Sequence, residues 1–234
     1  MRICSTIAAR LRSAAFTLIE LAITIALVGI LAAIIVNFVA PVRSYIDSSR
    51  RAALADTADS ALRRIGRDLH LSLPNSVRVT NVGSVFYLEL MLVRTGGRYR
   101  ADTDPAATNT CNDGLSSVPL NDVLIIGAAD TCFKTLGDVP NITQVVTGSD
   151  YLVVFNLQPG TDKADAYQTT CGAVCNKSQI AAPLPVAGAG EDRITIASHS
   201  FSFESPGRRF FIIEGPVTYA CAPAAGTAGT LTRY

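Results

Sequence analysis

One carboxylate stands inside a long apolar run near the start of the chain. Residues 16–40 read FTLIELAITIALVGILAAIIVNFVA, in which Glu20 is the one charged residue. A carboxylate at the centre of an apolar membrane helix costs roughly 2.5–3.5 kcal/mol, so a partner is expected. If the chain were cut after Ala15, the new α-amino group of Phe16, or of an adjacent copy, could reach Glu20 one helical turn away. The alternative is an acid that snorkels to the membrane edge.

The apolar run is long enough to cross a bilayer. As a helix it extends about 37 Å at ~1.5 Å per residue, against a hydrocarbon core of ~30 Å. A buried core helix is the weaker alternative. A cleavable secretory signal has its small residues after the apolar region, whereas here residues 13–15 (Ser-Ala-Ala) precede it. We therefore predict a retained span. The preceding residues carry three arginines and no acid, which predicts a cytoplasmic N-terminus: Arg2, Arg10 and Arg12.

The segment Ala15-Phe16-Thr17-Leu18-Ile19-Glu20, after its short basic leader, resembles the cleavage motif of the type IV pilin-like family of prepilins and pseudopilins. The resemblance covers about residues 10–40. It implies that prepilin peptidase cuts between Ala15 and Phe16, that the Phe16 amine is methylated, and that Glu20 pairs with a neighbouring subunit's N-terminal amine during assembly. The family prefers Gly where Ala15 stands. Because alanine is the mildest replacement, we expect processing to persist more slowly.

The resemblance also implies partners and a location. The partners are prepilin peptidase, other major and minor pilins, an inner-membrane assembly platform and the lipid bilayer. The chain would cross the inner membrane once, with a periplasmic head, and then enter a pilus or pseudopilus. No cofactor is expected. The 20 basic and 19 acidic residues give a formal charge of +1, so no nucleic-acid contact is expected either.

Two further segments resemble a subgroup of the family. Residues 67–69 (Arg-Asp-Leu) with 73–78 (Leu-Pro-Asn-Ser-Val-Arg), and residues 215–219 (Gly-Pro-Val-Thr-Tyr), are similar to the O-type minor pilins of mannose-sensitive haemagglutinin (MSHA) pili. This implies a structural subunit in pilus biogenesis, linked to cell adhesion. Two alternatives stay open. One is a J-type pseudopilin of type II secretion, and the other is a pilus-tip adhesin or DNA-uptake receptor.

The pattern along the chain predicts an α+β fold. Residues 41–74 continue the helix with an amphipathic stripe that includes Leu54, Ala58, Leu62 and Ile65. Pro41 is expected to kink this helix, and Pro74 to end it. Short alternating runs follow, so we expect a long N-terminal helix packed on an antiparallel sheet. The predicted strands are 77–80, 85–93, 123–126, 151–155, 193–196, 209–214 and 217–221.

This reading divides the chain into a leader (1–15), a transmembrane and assembly helix (16–40), its amphipathic continuation (41–74) and a β-rich head (75–234). Segments 95–120 and 158–190 are predicted as loops inserted between strands. Residues 215–216 (Gly-Pro) are predicted to form the corner of a hairpin. The last residues, 231–234, predict a short edge strand, as in a clipped or truncated chain.

The remaining reactive residues indicate disulfides rather than catalysis. Outside the leader, which holds Cys4, lie Cys111, Cys132, Cys171, Cys175 and Cys221, and connectivity is not fixed by sequence. Pairing Cys111 with Cys132 and Cys171 with Cys175 closes short loops and leaves Cys221 free. A zinc site lacks a second cysteine pair. His199 has no nucleophile motif beside it, so it is predicted to be structural, and no enzymatic activity is expected.

Overall fold

A computed structural model describes residues 16–102, 111, 123–170, 172–182, 190–224 and 229–234. The chain divides into two compact units, residues 1–63 and 64–234. Its elements are one long helix and a set of antiparallel strands. The predicted α+β fold is confirmed.

Helix α1 (Leu18–His70) begins with a side-chain cap. Thr17 precedes it, and its hydroxyl oxygen accepts the backbone N–H of Glu20 at 3.3 Å. Because the first N–H groups of a helix lack partners within the helix, this bond stabilises the start of α1. The helix continues through Pro41, so this proline does not break it.

Helix α1 ends at His70, four residues before Pro74. The backbone N–H and the hydroxyl of Ser72 both donate to the carbonyl of Leu69, at 3.2 Å and 2.7 Å. The N–H of Leu73 donates to the carbonyl of Met91 at 2.8 Å. The chain therefore leaves the helix because these bonds replace the next helical ones, and not because of Pro74 alone.

The larger sheet contains strands β1 (Arg78–Val82), β2 (Val85–Arg98), β4 (Tyr151–Val154), β5 (Lys177–Gln179), β7 (Arg209–Ala222) and β8 (Thr230–Arg233). Its order is β1-β2-β7-β4-β5, and β8 pairs with β7. All of these pairs are antiparallel. The two longest strands, β2 and β7, form the centre of the sheet.

A second sheet pairs β3 (Asp130–Lys134) with β6 (Arg193–His199). The main core lies between it and β4 and β7, and includes Phe133, Leu152, Ile194 and Phe210. The rings of Phe133 and Phe210 meet edge to face, with centroids 5.6 Å apart. Burial of these large side chains is the main stabilising term for the head.

Two predictions about strands were wrong. Residues 123–126 form no strand, since the carboxylate of Asp130 accepts the N–H of Ile125 at 2.9 Å and Ile126 makes only an isolated bridge to Phe201. Residues 215–216 are not a hairpin corner, because β7 pairs with β2 on both sides of them, and the ladder is irregular beside them. Pro216 falls between Ile213, where β4 pairing ends, and Tyr219, where β8 pairing begins. A residue without an N–H is tolerated in such a gap.

The two predicted loops also contain strand residues. Residues 95–98 extend β2, and residues 177–179 form β5. The predicted C-terminal strand is present as β8, which begins at Thr230. The other residues of the two loops lie partly outside the described ranges.

The described cysteines differ in their bonding. A disulfide joins Cys111 to Cys132, and it ties residue 111 to β3. Cys175 is disulfide-bonded, while Cys171 lies outside the described residues. Cys221 is free and exposed. The sequence had favoured this state for each of the described cysteines.

Candidate assembly site

The first turn of α1 carries the residues to which the sequence assigned processing and assembly. Phe16 is 70% exposed, and Glu20 is exposed in the first turn of the helix. Residues four apart lie on one helix face, so Phe16 and Glu20 share a face. The structure therefore leaves this carboxylate accessible to an amine on the same or another chain. Ala15 lies outside the described residues.

The other polar side chains of the apolar helix bond to their own backbone. The hydroxyl of Thr24 donates to the carbonyl of Leu21 at 2.9 Å, and the amide of Asn37 donates to the carbonyl of Ala33 at 2.9 Å. Such bonds lower the cost of placing polar groups in an apolar environment. Glu20 differs from both, because its carboxylate cannot donate to a backbone carbonyl.

Residues Leu18–Asn37 are long and apolar enough to cross a membrane, by length and composition. Their mean hydropathy is 2.7, and none of the segment is buried. A helix that is apolar on all sides needs lipid or other helices around it. The segment therefore has two possible environments, a bilayer and a bundle of similar helices.

The last turns of α1 belong to the second unit and are fixed to the larger sheet. Ile65 and Leu69 pack against the apolar cluster of Leu90, Val217 and Tyr219. Beside this contact the carboxylate of Asp68 accepts two hydrogen bonds. The donors are the Tyr219 hydroxyl at 2.6 Å and the Arg233 Nε at 3.0 Å. One buried acid thus joins the helix, β7 and β8.

The Asp68 cluster shows how burial and hydrogen bonding compete. Burial of the Asp68 carboxyl by itself raises its pKa, but the hydrogen bonds from Tyr219 and Arg233 outweigh this and hold the pKa below its ordinary value. Burial and the bond to Asp68 raise the pKa of the Tyr219 hydroxyl. At neutral pH the cluster is therefore an ionised acid held by one neutral and one cationic donor.

The two segments that resemble O-type minor pilins meet at this junction. Asp68 of the first contacts Tyr219 of the second. Arg78 donates to Glu89 at 2.6 Å, and the hydroxyl of Thr218 donates to the same carboxylate at 3.4 Å. The structure therefore gives both segments one shared role, which is to fasten the helix end and the chain after it to β2 and β7.

Sequence reasoning missed Glu89 and Arg233 at this junction. Glu89 lies on β2 and is partly buried between Arg78 and Thr218. An acid within an otherwise apolar strand was the available signal. Arg233 gave no signal in the sequence, because its contact with Asp68 depends on the register of β8 against β7.

The residues that might have indicated catalysis or metal binding have structural surroundings. His199 is buried, and its Nε2 lies 2.5 Å from the carbonyl oxygen of Cys175. Burial lowers the pKa of His199, although the bond to Cys175 opposes the shift. Within the described part of the chain, no group of three or more His, Cys, Asp or Glu residues is placed to hold a metal ion.

Comparison with known proteins addresses the N-terminal segment. Residues 10–36 match the family model of the prokaryotic N-terminal methylation motif. This match supports a type IV pilin-like prepilin family. It implies processing by prepilin peptidase and assembly with other pilins. Together with the apolar helix, it fits a single-pass, membrane-anchored pilin. No curated protein and no solved structure matches the chain.

Proposed function

We propose that this chain is a minor pilin that takes part in the biogenesis of an MSHA-type type IV pilus. The observation that carries the proposal is the methylation motif directly before an apolar helix with Glu20 in its first turn. The proposed role is structural, and it uses the N-terminal helix for assembly and the β-rich head as the exposed part of the subunit.

Processing is the first step of the proposed function. Prepilin peptidase hydrolyses the peptide bond between Ala15 and Phe16 and releases the basic leader. The new amine of Phe16 is then methylated. The exposed position of Phe16 and the helix start just after it leave the new terminus at the end of α1.

Assembly is the second step, in which the helix leaves the lipid and packs among other pilin helices. The Glu20 carboxylate then pairs with the N-terminal amine of a neighbouring subunit. Within an apolar environment an unpaired charge of either sign is costly, so the pairing favours one axial register between neighbours. Glu20 suits this role because it is the one charged residue in the apolar run.

The proposed location follows from the same segment. The N-terminus stays cytoplasmic, the helix spans the inner membrane once, and the head is periplasmic until the subunit enters the fibre. The Cys111–Cys132 disulfide supports an oxidising compartment for the head. The inner-membrane assembly platform and the other pilins are the proposed partners.

The MSHA assignment depends on the two head segments, which meet at the Asp68–Tyr219 bond. Their convergence supports the proposal because it gives both segments one structural purpose. The gene neighbourhood separates this assignment from a J-type pseudopilin. The proposal predicts adjacent genes for pilus biogenesis with other minor pilins, whereas neighbouring secretion genes with a secretin would contradict it.

The replacement of Glu20 by Ala tests the assembly role. The variant should insert into the membrane and lose its leader, but it should be absent from sheared fibres. Thr24→Val is the matched control, since the Thr24 hydroxyl bonds within its own helix. This control should enter fibres as the wild type does. Normal incorporation of Glu20→Ala would show that the proposed pairing is wrong.

A further inference from the structure

One part of the larger sheet is left uncovered next to the end of α1. Along β2, Leu88, Leu90 and Leu92 belong to the cluster that packs against Ile65 and Leu69. Alternate residues of a strand lie on one face, so Phe86 continues this row. Phe86 is 48% exposed. The face that receives the helix end therefore extends beyond the contact that covers it.

Neighbouring strands widen this uncovered area. Phe86 pairs with Cys221, and Cys221 pairs with Leu231. Cys221 is exposed and Leu231 is 45% exposed. Val79, the cross-strand partner of Leu88, is 68% exposed. We call Val79, Phe86, Cys221 and Leu231 the apolar patch. Side chains at paired positions share a face, so the four lie together.

The helix carries an exposed stripe of complementary character. Leu54, Ala58 and Leu62 recur at intervals of four, the spacing that also separates Ile65 from Leu69. Leu54 is 71% exposed and Leu62 is 64% exposed. We call Leu54, Ala58 and Leu62 the helix stripe. The stripe has the side-chain types and spacing that the sheet already accepts from Ile65 and Leu69.

We propose that the helix stripe of one copy of this chain packs on the apolar patch of a second copy. This inference rests on the proposed function, because it names the surfaces through which subunits join. The occupant follows from the continuity of the patch with an existing helix–sheet contact. Since stripe and patch are different surfaces, the contact is head-to-tail, and each copy leaves one of each surface open. Such a contact adds subunits in a line.

Cys221 provides a native reporter for this contact. Leu62→Cys places a second thiol on the stripe, and Ser60→Cys places one on the opposite side of the helix. Each variant is coexpressed in two differently tagged, full-length forms, and isolated membranes are treated with a mild thiol oxidant. We expect a disulfide between residue 62 of one copy and Cys221 of the other, identified by mass mapping. The Ser60→Cys control should give little product.

Three results would overturn the inference: no product between copies, equal yields for both cysteine positions, or a bond formed only within one copy. Leader removal and fibre incorporation are measured on the same samples. If both are normal while the cross-link is absent, the docking surfaces are wrong and the proposed function stands. If the leader is retained, the proposed function itself fails.

A matched pair of valines on β1 makes the test specific for one face. Val79 and Val82 are 68% and 67% exposed, but Val79 lies on the patch face and Val82 on the other. In the Leu62→Cys background, Val79→Ser should lower the cross-link yield about tenfold, because it removes apolar contact. Val82→Ser should leave the yield unchanged. Both changes are exposed, so neither is expected to unfold the head. Equal effects would contradict the proposed contact.

Discussion

Replacing Asp68 by Asn tests how the end of α1 is fixed to the sheet. The carboxylate is 8% exposed and accepts hydrogen bonds from Tyr219 and Arg233. Asn keeps the size and one acceptor oxygen, so the bond from Tyr219 can persist in neutral form. The bond from Arg233 loses its ionic part. Hydrogen bonds to charged groups contribute about 1.5–3 kcal/mol, and water around the 31%-exposed Arg233 recovers part of this. We expect a loss of about 1–2 kcal/mol in the free energy of unfolding at pH 7.

The same change has a defined pH dependence. The pKa of Asp68 in the folded head lies below its ordinary value, which is about 3.9 in an unfolded chain. The stabilisation from the ionised form is therefore fully present above about pH 4 and is lost as the pH falls through the folded pKa. The difference between wild type and Asp68→Asn should be widest at neutral pH and should narrow under acid.

The assay is urea unfolding of the full-length protein in detergent, followed by near-ultraviolet circular dichroism of the head tyrosines. Asp59→Asn is the matched control, since Asp59 forms an exposed pair with Arg63 on the same helix. The control should change the free energy of unfolding by less than about 0.5 kcal/mol. The reasoning is refuted if Asp68→Asn behaves like this control at pH 7, or if its deficit does not narrow on acidification.

Three further predictions concern the head. Gly96→Ala should lower the free energy of unfolding by about 1–3 kcal/mol, measured by urea unfolding, because a Cβ there would lie 2.9 Å from the carbonyl oxygen of Phe210. Tyr167→Phe should be neutral or slightly stabilising in the same assay. The Tyr167 hydroxyl is buried without a hydrogen-bond partner among the described residues, and the variant should lose the phenolate transition near pH 12, since burial raises the pKa of Tyr167 to about 12. Cys221 should react with a maleimide in the folded protein, whereas Cys132 should react only after reduction, as read by peptide mass mapping.

The fold class was predictable because its signals are local. The apolar run and the stripe of spacing three and four predict α1, and alternation predicts most of β2 and β7. The missed parts carry no such signal. β5 reads Lys-Ser-Gln, and its Ser178 bonds to the carbonyl of Ala197 on another strand. Gly96 and Gly97 suggest a loop, but they extend β2 because β7 approaches too closely for a side chain at residue 96.

The candidate site divides in the same way. Glu20 was predictable, because a charge within an apolar run requires a partner whatever the fold. The Asp68 cluster was not, since Arg233 reaches Asp68 only through the pairing of β8 with β7. Likewise the apolar patch joins residues from three strands, and only the strand register shows that they are neighbours.

The central claim is that this chain is a processed, pilin-like subunit, and its mature N-terminus tests this most directly. The full-length gene is expressed in cells with an active prepilin peptidase, and membrane and sheared-fibre fractions are analysed by N-terminal peptide mass spectrometry. The account predicts a chain that begins at N-methylated Phe16, with Ala15→Gly processed at least as completely. An intact Met1 terminus in the mature fractions, while a known prepilin in the same cells is cleaved, would contradict it.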